Sequence, residues 1–108
     1  MNLPSEIFGN VIVVHTPEEL GGDQAARLEP YLTGLDRSMV VLDLDNTEMI
    51  DSAGLKSLLD SQESLRALGG DVKIATTNSM NRKILEVTRV DQQLEIFESV
   101  LDAVRSFQ

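Results

Sequence analysis

The chain has 108 residues, 18 acids against 9 bases, a formal net charge of −9 and a hydrophobic content of 42%, which fits one domain with one core. It has no Cys and a single histidine, His15, which excludes disulfide scaffolds, thiol nucleophiles and Cys-based zinc sites and speaks against a His-rich metal centre. No apolar run approaches the ~20 residues of a membrane span, no charged-then-apolar leader opens the chain, and the acidic balance disfavours direct nucleic-acid binding; a soluble cytoplasmic protein without a membrane partner is expected.

In chain order, a short strand around Ser5–Phe8 turns at Gly9-Asn10 into the β-branched run Val11-Ile12-Val13-Val14, a hairpin with a stub for its first arm. Thr16-Pro17-Glu18-Glu19 has the form of a capping box and predicts a short helical turn. Asp23 to Leu32 reads as a helix with Ala25, Leu28 and Leu32 on one face, ended by Gly34. Met39 to Leu44 is a second buried strand. Ser52 to Leu68 places Leu55, Leu58, Leu59, Leu65 and Leu68 at amphipathic-helix spacing, and Gly69-Gly70 stops it. Val72 to Ala75 is a third strand, and Ser79 to Thr88 a helix with Met80, Ile84, Leu85 and Val87 facing inward. Leu94 to Phe97 is a fourth strand, and Ser99 caps a last helix carrying Val100, Leu101, Val104 and Phe107. Strand and helix alternate throughout. The fold class is therefore α/β, a single domain spanning 1–108 with a small, mostly parallel sheet of four to five strands and about four helices. Sites in such sheets lie at the carboxyl ends of the strands.

The densest segment there is Val40 to Leu55, and it admits two chemistries. A strand ending in Asp43-Leu44-Asp45-Asn46-Thr47 resembles the haloacid dehalogenase phosphatases, in which the first Asp is a nucleophile, the second an acid/base, and magnesium sits between them. Val72 to Asn78 resembles that superfamily's second motif, and Lys83 could be nominated as its lysine. The last strand, however, ends in Glu98-Ser99 rather than in an acidic pair, and the chain is short for that fold. This is the minor alternative.

The other reading starts from Asp51-Ser52-Ala53-Gly54-Leu55. Asp and Ser are favoured N-caps, so Ser52 read by itself is simply a cap. Gly54 lets a loop or partner approach the backbone closely. A serine at a helix start also lies beside unpaired N–H groups and the positive end of the helix dipole. A phosphate added there is stabilised locally and brings about −2 charges to the surface.

Together, residues 40–59 resemble the STAS domain of the anti-sigma factor antagonists: an apolar strand, Asp-Leu, a polar turn, an apolar pair, then Asp-Ser-Ala-Gly-Leu and a leucine-rich helix. The resemblance runs on through Leu68-Gly69-Gly70-Asp71-Val72-Lys73-Ile74, Ile84 to Asp91 and Ile96 to Ser99, covering about 10–107. It implies that Ser52 is phosphorylated by an anti-sigma factor that is also a serine kinase. Unphosphorylated protein would bind that kinase and free the sigma factor; phosphorylated protein would be released, and a serine phosphatase would reset the switch. The implied protein is a binding module that regulates transcription and signalling indirectly, with no catalytic residues, no cofactor and no metal. Asp51, Ala53 and Gly54 would shape the switch, and Asp45, Asn46 and Thr47 would line the binding face with the 17–24 loop. That loop departs from the family's Gly-Glu-Leu-Asp-x-x-(Thr/Asn)-Ala pattern: Glu19-Leu20-Gly21-Gly22-Asp23-Gln24-Ala25 has Gly21 where Asp is usual and Gln24 for Thr or Asn. Arg89 stands where the family has Gly. A STAS scaffold or sensor that is never phosphorylated is the alternative, and the oligomeric state is open.

The charge is concentrated. Residues 1–54 hold 10 acids and 2 bases, against 8 and 7 in residues 55–108, so a basic partner surface is expected. Met49 and Ile50 read as core or as an apolar contact beside Ser52, and His15 as a surface residue at a strand end.

Overall fold

The computed structural model describes all 108 residues. In chain order the elements are β1 (Ser5–Phe8), β2 (Val11–His15), β3 (Glu19–Leu20), α1 (Gly22–Thr33), β4 (Met39–Asp43), β5 (Met49–Ile50), α2 (Ser52–Ala67), β6 (Asp71–Ala75), α3 (Ser79–Val87), a 3-10 turn at Val90–Gln92, β7 (Ile96–Phe97) and α4 (Val100–Arg105). Strands covered on both faces have no polar side and read as continuous apolar runs. Val11 through Val14 and Val40 through Leu42 are such runs, and both are buried. They lie inside a five-stranded sheet of order β1-β2-β4-β6-β7. β1 pairs antiparallel to β2, and every other pair is parallel. The register sets His15 opposite Asp43, and Asp43 opposite Ala75, at the carboxyl end of the central strands.

The two faces of the sheet carry separate cores. On one, Ile12, Val14, Val40, Leu42, Val72 and Ile74 meet Leu28 and Leu32 of α1, Leu58 and Leu65 of α2 and Leu85 of α3, within a cluster of 16 buried residues. On the other, Val11, Val13, Val41 and Ala75 are covered by Ala103 and Val104 of α4. Lys73 of β6 belongs to this second face and is buried. Its ammonium donates to the Ser106 hydroxyl at 2.8 Å and lies 4.4 Å from the centre of the Phe107 ring. Burying an ammonium without such partners is costly, and here they fasten the end of α4 to the sheet. No helix is long and apolar enough to cross a membrane.

Several elements differ from the sequence expectations. Thr16 to Glu19 forms no helical turn; Glu19–Leu20 is instead a two-residue strand paired in parallel with Met49–Ile50. The fourth core strand shrinks to Ile96–Phe97, because Leu94 leaves the strand direction to fill the first core. In α3, Leu85 is buried as expected and Ile84 half-buried, but Met80 and Val87 are 69% and 66% exposed while Asn81 is buried. Asn81 and Leu85, four apart, share the inward arc because the Asn81 amide is used against the neighbouring loop. Gly34 caps α1 at its carboxyl end, as expected, with right-handed backbone angles.

Candidate functional site at the start of α2

The loop from Leu44 to Glu48 leaves the end of β4 and is tied on three sides. Asp43 Oδ1 accepts from the Asp45 N–H at 3.0 Å, and Asp45 Oδ1 accepts from the Thr77 N–H at 2.6 Å. The Thr47 hydroxyl donates to the Pro17 carbonyl at 2.6 Å and accepts from the Thr16 hydroxyl at 2.5 Å. Asn81 donates its side-chain amide to the Leu44 carbonyl at 3.1 Å and the Thr47 carbonyl at 2.8 Å. Buried carbonyls without a donor cost of the order of 1–3 kcal/mol each, so these contacts fix the loop rather than decorate it.

From Glu48 the chain enters β5, which pairs with β3 and so brings the 17–24 loop against the start of α2. Asp51 joins the two. Its Oδ1 accepts from the Gly54 N–H at 2.8 Å, which caps α2, and its Oδ2 accepts from the Gly22 N–H at 3.1 Å, at the start of α1. Two glycines permit this approach. A Cβ on Gly21 would stand 2.5 Å from Asp51 Oδ2, and a Cβ on Gly54 would overlap the Leu20 carbonyl oxygen. Gly54 therefore admits a loop of its own chain, one of the two roles open to it from sequence. The Gly21 departure from the family pattern has its reason in the Asp51 carboxylate, which occupies the space a side chain would need.

The capping assignment changes accordingly. Asp51, with extended backbone angles, is the N-cap of α2, and Ser52 is the first helical residue. Ser52 and Ala53 are exposed, and Asp51 rather than the Ser52 hydroxyl makes the hydrogen bonds at this helix end. Gly22, Gln24, Asp45 and Asn46 are exposed as well, with Met49 42% exposed; Gly21 and Gly54 are buried and Asp51 is half-buried. Thr47, expected on the contact face, is fully buried because its hydroxyl is spent on Pro17 and Thr16. A groove of about 320 Å³ between α1 and α2 opens beside Ala53 and is lined by Gly22, Ala25, Lys56, Ser57 and Asp60 among others.

The two aspartates of the phosphatase reading do not converge. Asp43 faces His15, whose Nδ1 lies 2.9 Å from Asp43 Oδ2, and Asp45 faces the Thr77 amide. Nowhere do three or more His, Asp or Glu side chains come together as a metal site. His15 is half-buried and bridges two carboxylates, Asp43 on one ring nitrogen and Glu6 on the other. Burial acts to lower its pKa, but the hydrogen bond and charge of Glu6, with those of Asp43, outweigh it and hold the imidazole above its ordinary 6.5. Sequence reading missed Thr16, Asn81 and this His15 bridge. The bridge could have been sought from the register, since His15 and Asp43 each follow an apolar strand; nothing in the local sequence signals Asn81.

Against known proteins, the family model for the STAS domain matches residues 2–103. The chain belongs to the STAS domain family. The TM1081 homolog of Thermotoga neapolitana is 21% identical over 109 residues, 97% of this chain and 96% of that protein. The crystal structure of an anti-sigma factor antagonist from Mycobacterium paratuberculosis superposes with a TM-score of 0.83 at 23% identity, over 97% of this chain and 92% of that one. The Bacillus cell fate determinant SpoIIAA in its phosphorylated form superposes with a TM-score of 0.71 at 12% identity, over 99% and 100% of the two chains. These likenesses establish the fold.

Proposed function

We propose that this STAS domain is an anti-sigma factor antagonist: a non-catalytic cytoplasmic binding module that docks, through the face around Ser52, on an anti-sigma factor that is also a serine kinase. Phosphorylation of Ser52 ends the contact and a serine phosphatase restores it. The observation that supports this reading is the division of labour at the start of α2: Asp51 caps the helix, which leaves the exposed Ser52 hydroxyl free of structural duty. A phosphoryl group there would add about −2 charges beside Asp51, in the more acidic half of the chain. Two added charges at the centre of the contact repel the Asp51 carboxylate of their own face and are costly to desolvate, and both effects weaken the docked complex. Relatives described as anti-sigma factor antagonists, and a SpoIIAA relative solved with its phosphate, agree with the same reading.

The test pairs the protein with an anti-sigma factor kinase from the same genome. With ATP, peptide mass mapping should find one phosphoserine, at Ser52; a phosphate at another residue would sink the assignment. In binding assays without ATP, Ser52→Ala should bind as wild type and Ser52→Asp at least tenfold more weakly. Equal affinity of Ser52→Asp and wild type would replace the switch by a scaffold that is never phosphorylated.

A further inference from the structure

The bridge made by His15 lies outside the Ser52 face and has no part in the proposed switch. It joins three strands. His15 ends β2, Asp43 ends β4, and Glu6 lies in the middle of β1. β1 is the least supported element of the sheet. All four of its residues are exposed, and its only strand neighbour is β2. The last rung of that pairing is the His15 N–H donating to the Pro4 carbonyl at 2.9 Å, so the residue that bears the imidazole also bears the terminal backbone bond.

The two carboxylates are unequal partners. The Asp43 side chain is 12% exposed and also receives the Asp45 N–H, whereas that of Glu6 is 54% exposed. A protonated imidazole has two N–H donors and satisfies both at once. A neutral imidazole has one. That proton belongs on Nδ1, because leaving the buried Asp43 oxygen without a donor costs more than returning Glu6 to water. The lone pair left on Nε2 then faces the Glu6 carboxylate and repels it. Glu6 and Asp43 are the charged groups that face the ring, one from β1 and one from β4, and no cation competes with them.

We propose that Glu6, His15 and Asp43 form a proton-operated latch on the edge of the sheet: the imidazolium clasps β1 to β2 through Glu6, and loss of its proton releases Glu6 while Asp43 keeps its hydrogen bond. The output is the tightness of β1, and with it the access to the outer edge of β2, whose N–H and C=O groups are otherwise covered. The core strands β4 and β6 lie behind Asp43 and do not open with β1. The latch works in either phosphorylation state of Ser52, so it stands or falls independently of the proposed function.

Nuclear magnetic resonance on the intact chain tests it. The His15 ring carbons and the backbone amide exchange of β1 and of His15 are followed from about pH 5.5 to about pH 9, with exchange corrected for its intrinsic base catalysis. In wild type, protection of the His15 and β1 amides should fall severalfold more than the correction accounts for, with a midpoint that coincides with the ring titration, while β4 and β6 amides remain the more protected at every pH. Glu6→Gln should lower the His15 pKa and make β1 protection independent of pH, since a neutral carboxamide can face either form of the ring. The latch is overturned if β1 protection follows intrinsic exchange alone in wild type, if the β1 and His15 amides are as protected as those of β4 and β6 and so open only with the whole fold, or if Glu6→Gln leaves the ring titration where it was.

Discussion

Gly21 and Asp51 occupy each other's space: a Cβ on Gly21 would stand 2.5 Å from Asp51 Oδ2, the oxygen that receives the Gly22 N–H. Gly21→Ala should therefore destabilise the fold by about 1–3 kcal/mol, the usual cost of overpacking. Asp51→Ala should cost about 1–2 kcal/mol through the lost cap, with the freed Gly22 amide in addition. The pair should not be additive, because Ala at 51 vacates the volume that Ala at 21 needs. Urea unfolding of both single variants and the double variant measures the coupling; a sum equal to the double would mean that the carboxylate has room to move aside.

Ser52→Ala should change stability by no more than about 0.5 kcal/mol, as expected for an exposed side chain outside the capping bonds. The contrast with Asp51→Ala, one residue away, is the sharpest stability test of which residue caps α2. A loss near 1 kcal/mol in Ser52→Ala would return the cap to the serine.

Arg89 has φ of 65°, the one non-glycine residue with left-handed backbone angles. Such angles cost a residue with a Cβ roughly 1–2 kcal/mol, and glycine nothing beyond its larger loss of freedom on folding. Arg89→Gly should thus raise stability by about 0.5–1 kcal/mol, read from the urea midpoint at constant slope. Arg89→Ala keeps the penalty and should show no such gain.

The His15 bridge gives the fold a pH dependence of defined sign. The folded pKa is raised above the ordinary 6.5, so the stabilising contribution is complete below that value and fades as pH climbs through the folded pKa. The stability difference between wild type and His15→Gln should consequently shrink as pH rises above the ordinary 6.5. Chemical unfolding of both proteins over that rise checks it, and a difference that grows with pH contradicts the ion pairs.

Asn81→Ala removes two donors from buried carbonyls, at Leu44 and Thr47, and should cost about 1–3 kcal/mol while loosening amides 45–48 in hydrogen exchange. Unchanged exchange in that loop would mean Thr16 and Thr47 suffice to hold it.

The alternation of elements, the buried strands and the amphipathic α2 were legible because each rests on a periodicity of apolar residues, and Val40 to Leu44 or Leu55 to Leu65 has no other use for that pattern. What escaped is polar and long-range. Asn81 looks like a solvent-facing residue until its loop is in place, so the inward arc of α3 was drawn through Met80 and Val87 instead. Thr16-Pro17-Glu18-Glu19 does satisfy the capping-box pattern locally. The tertiary pairing of Glu19–Leu20 with Met49–Ile50, 30 residues on, overrides it. At the site, the cluster around Ser52 was legible as a motif, while the choice between Asp51 and Ser52 as cap depended on Gly22, which belongs to another helix.

Gly54 presses α2 directly onto the Leu20 carbonyl, with no side chain between them as a cushion. The first turn of that helix is consequently seated on a hard stop and has no slack in which to recoil. A group attached at Ser52 cannot be absorbed by a yielding backbone, so its whole volume and charge are delivered outward to whatever molecule rests on that face. The stiffness of an internal glycine contact thus sets how faithfully a small covalent change would be reported at the surface.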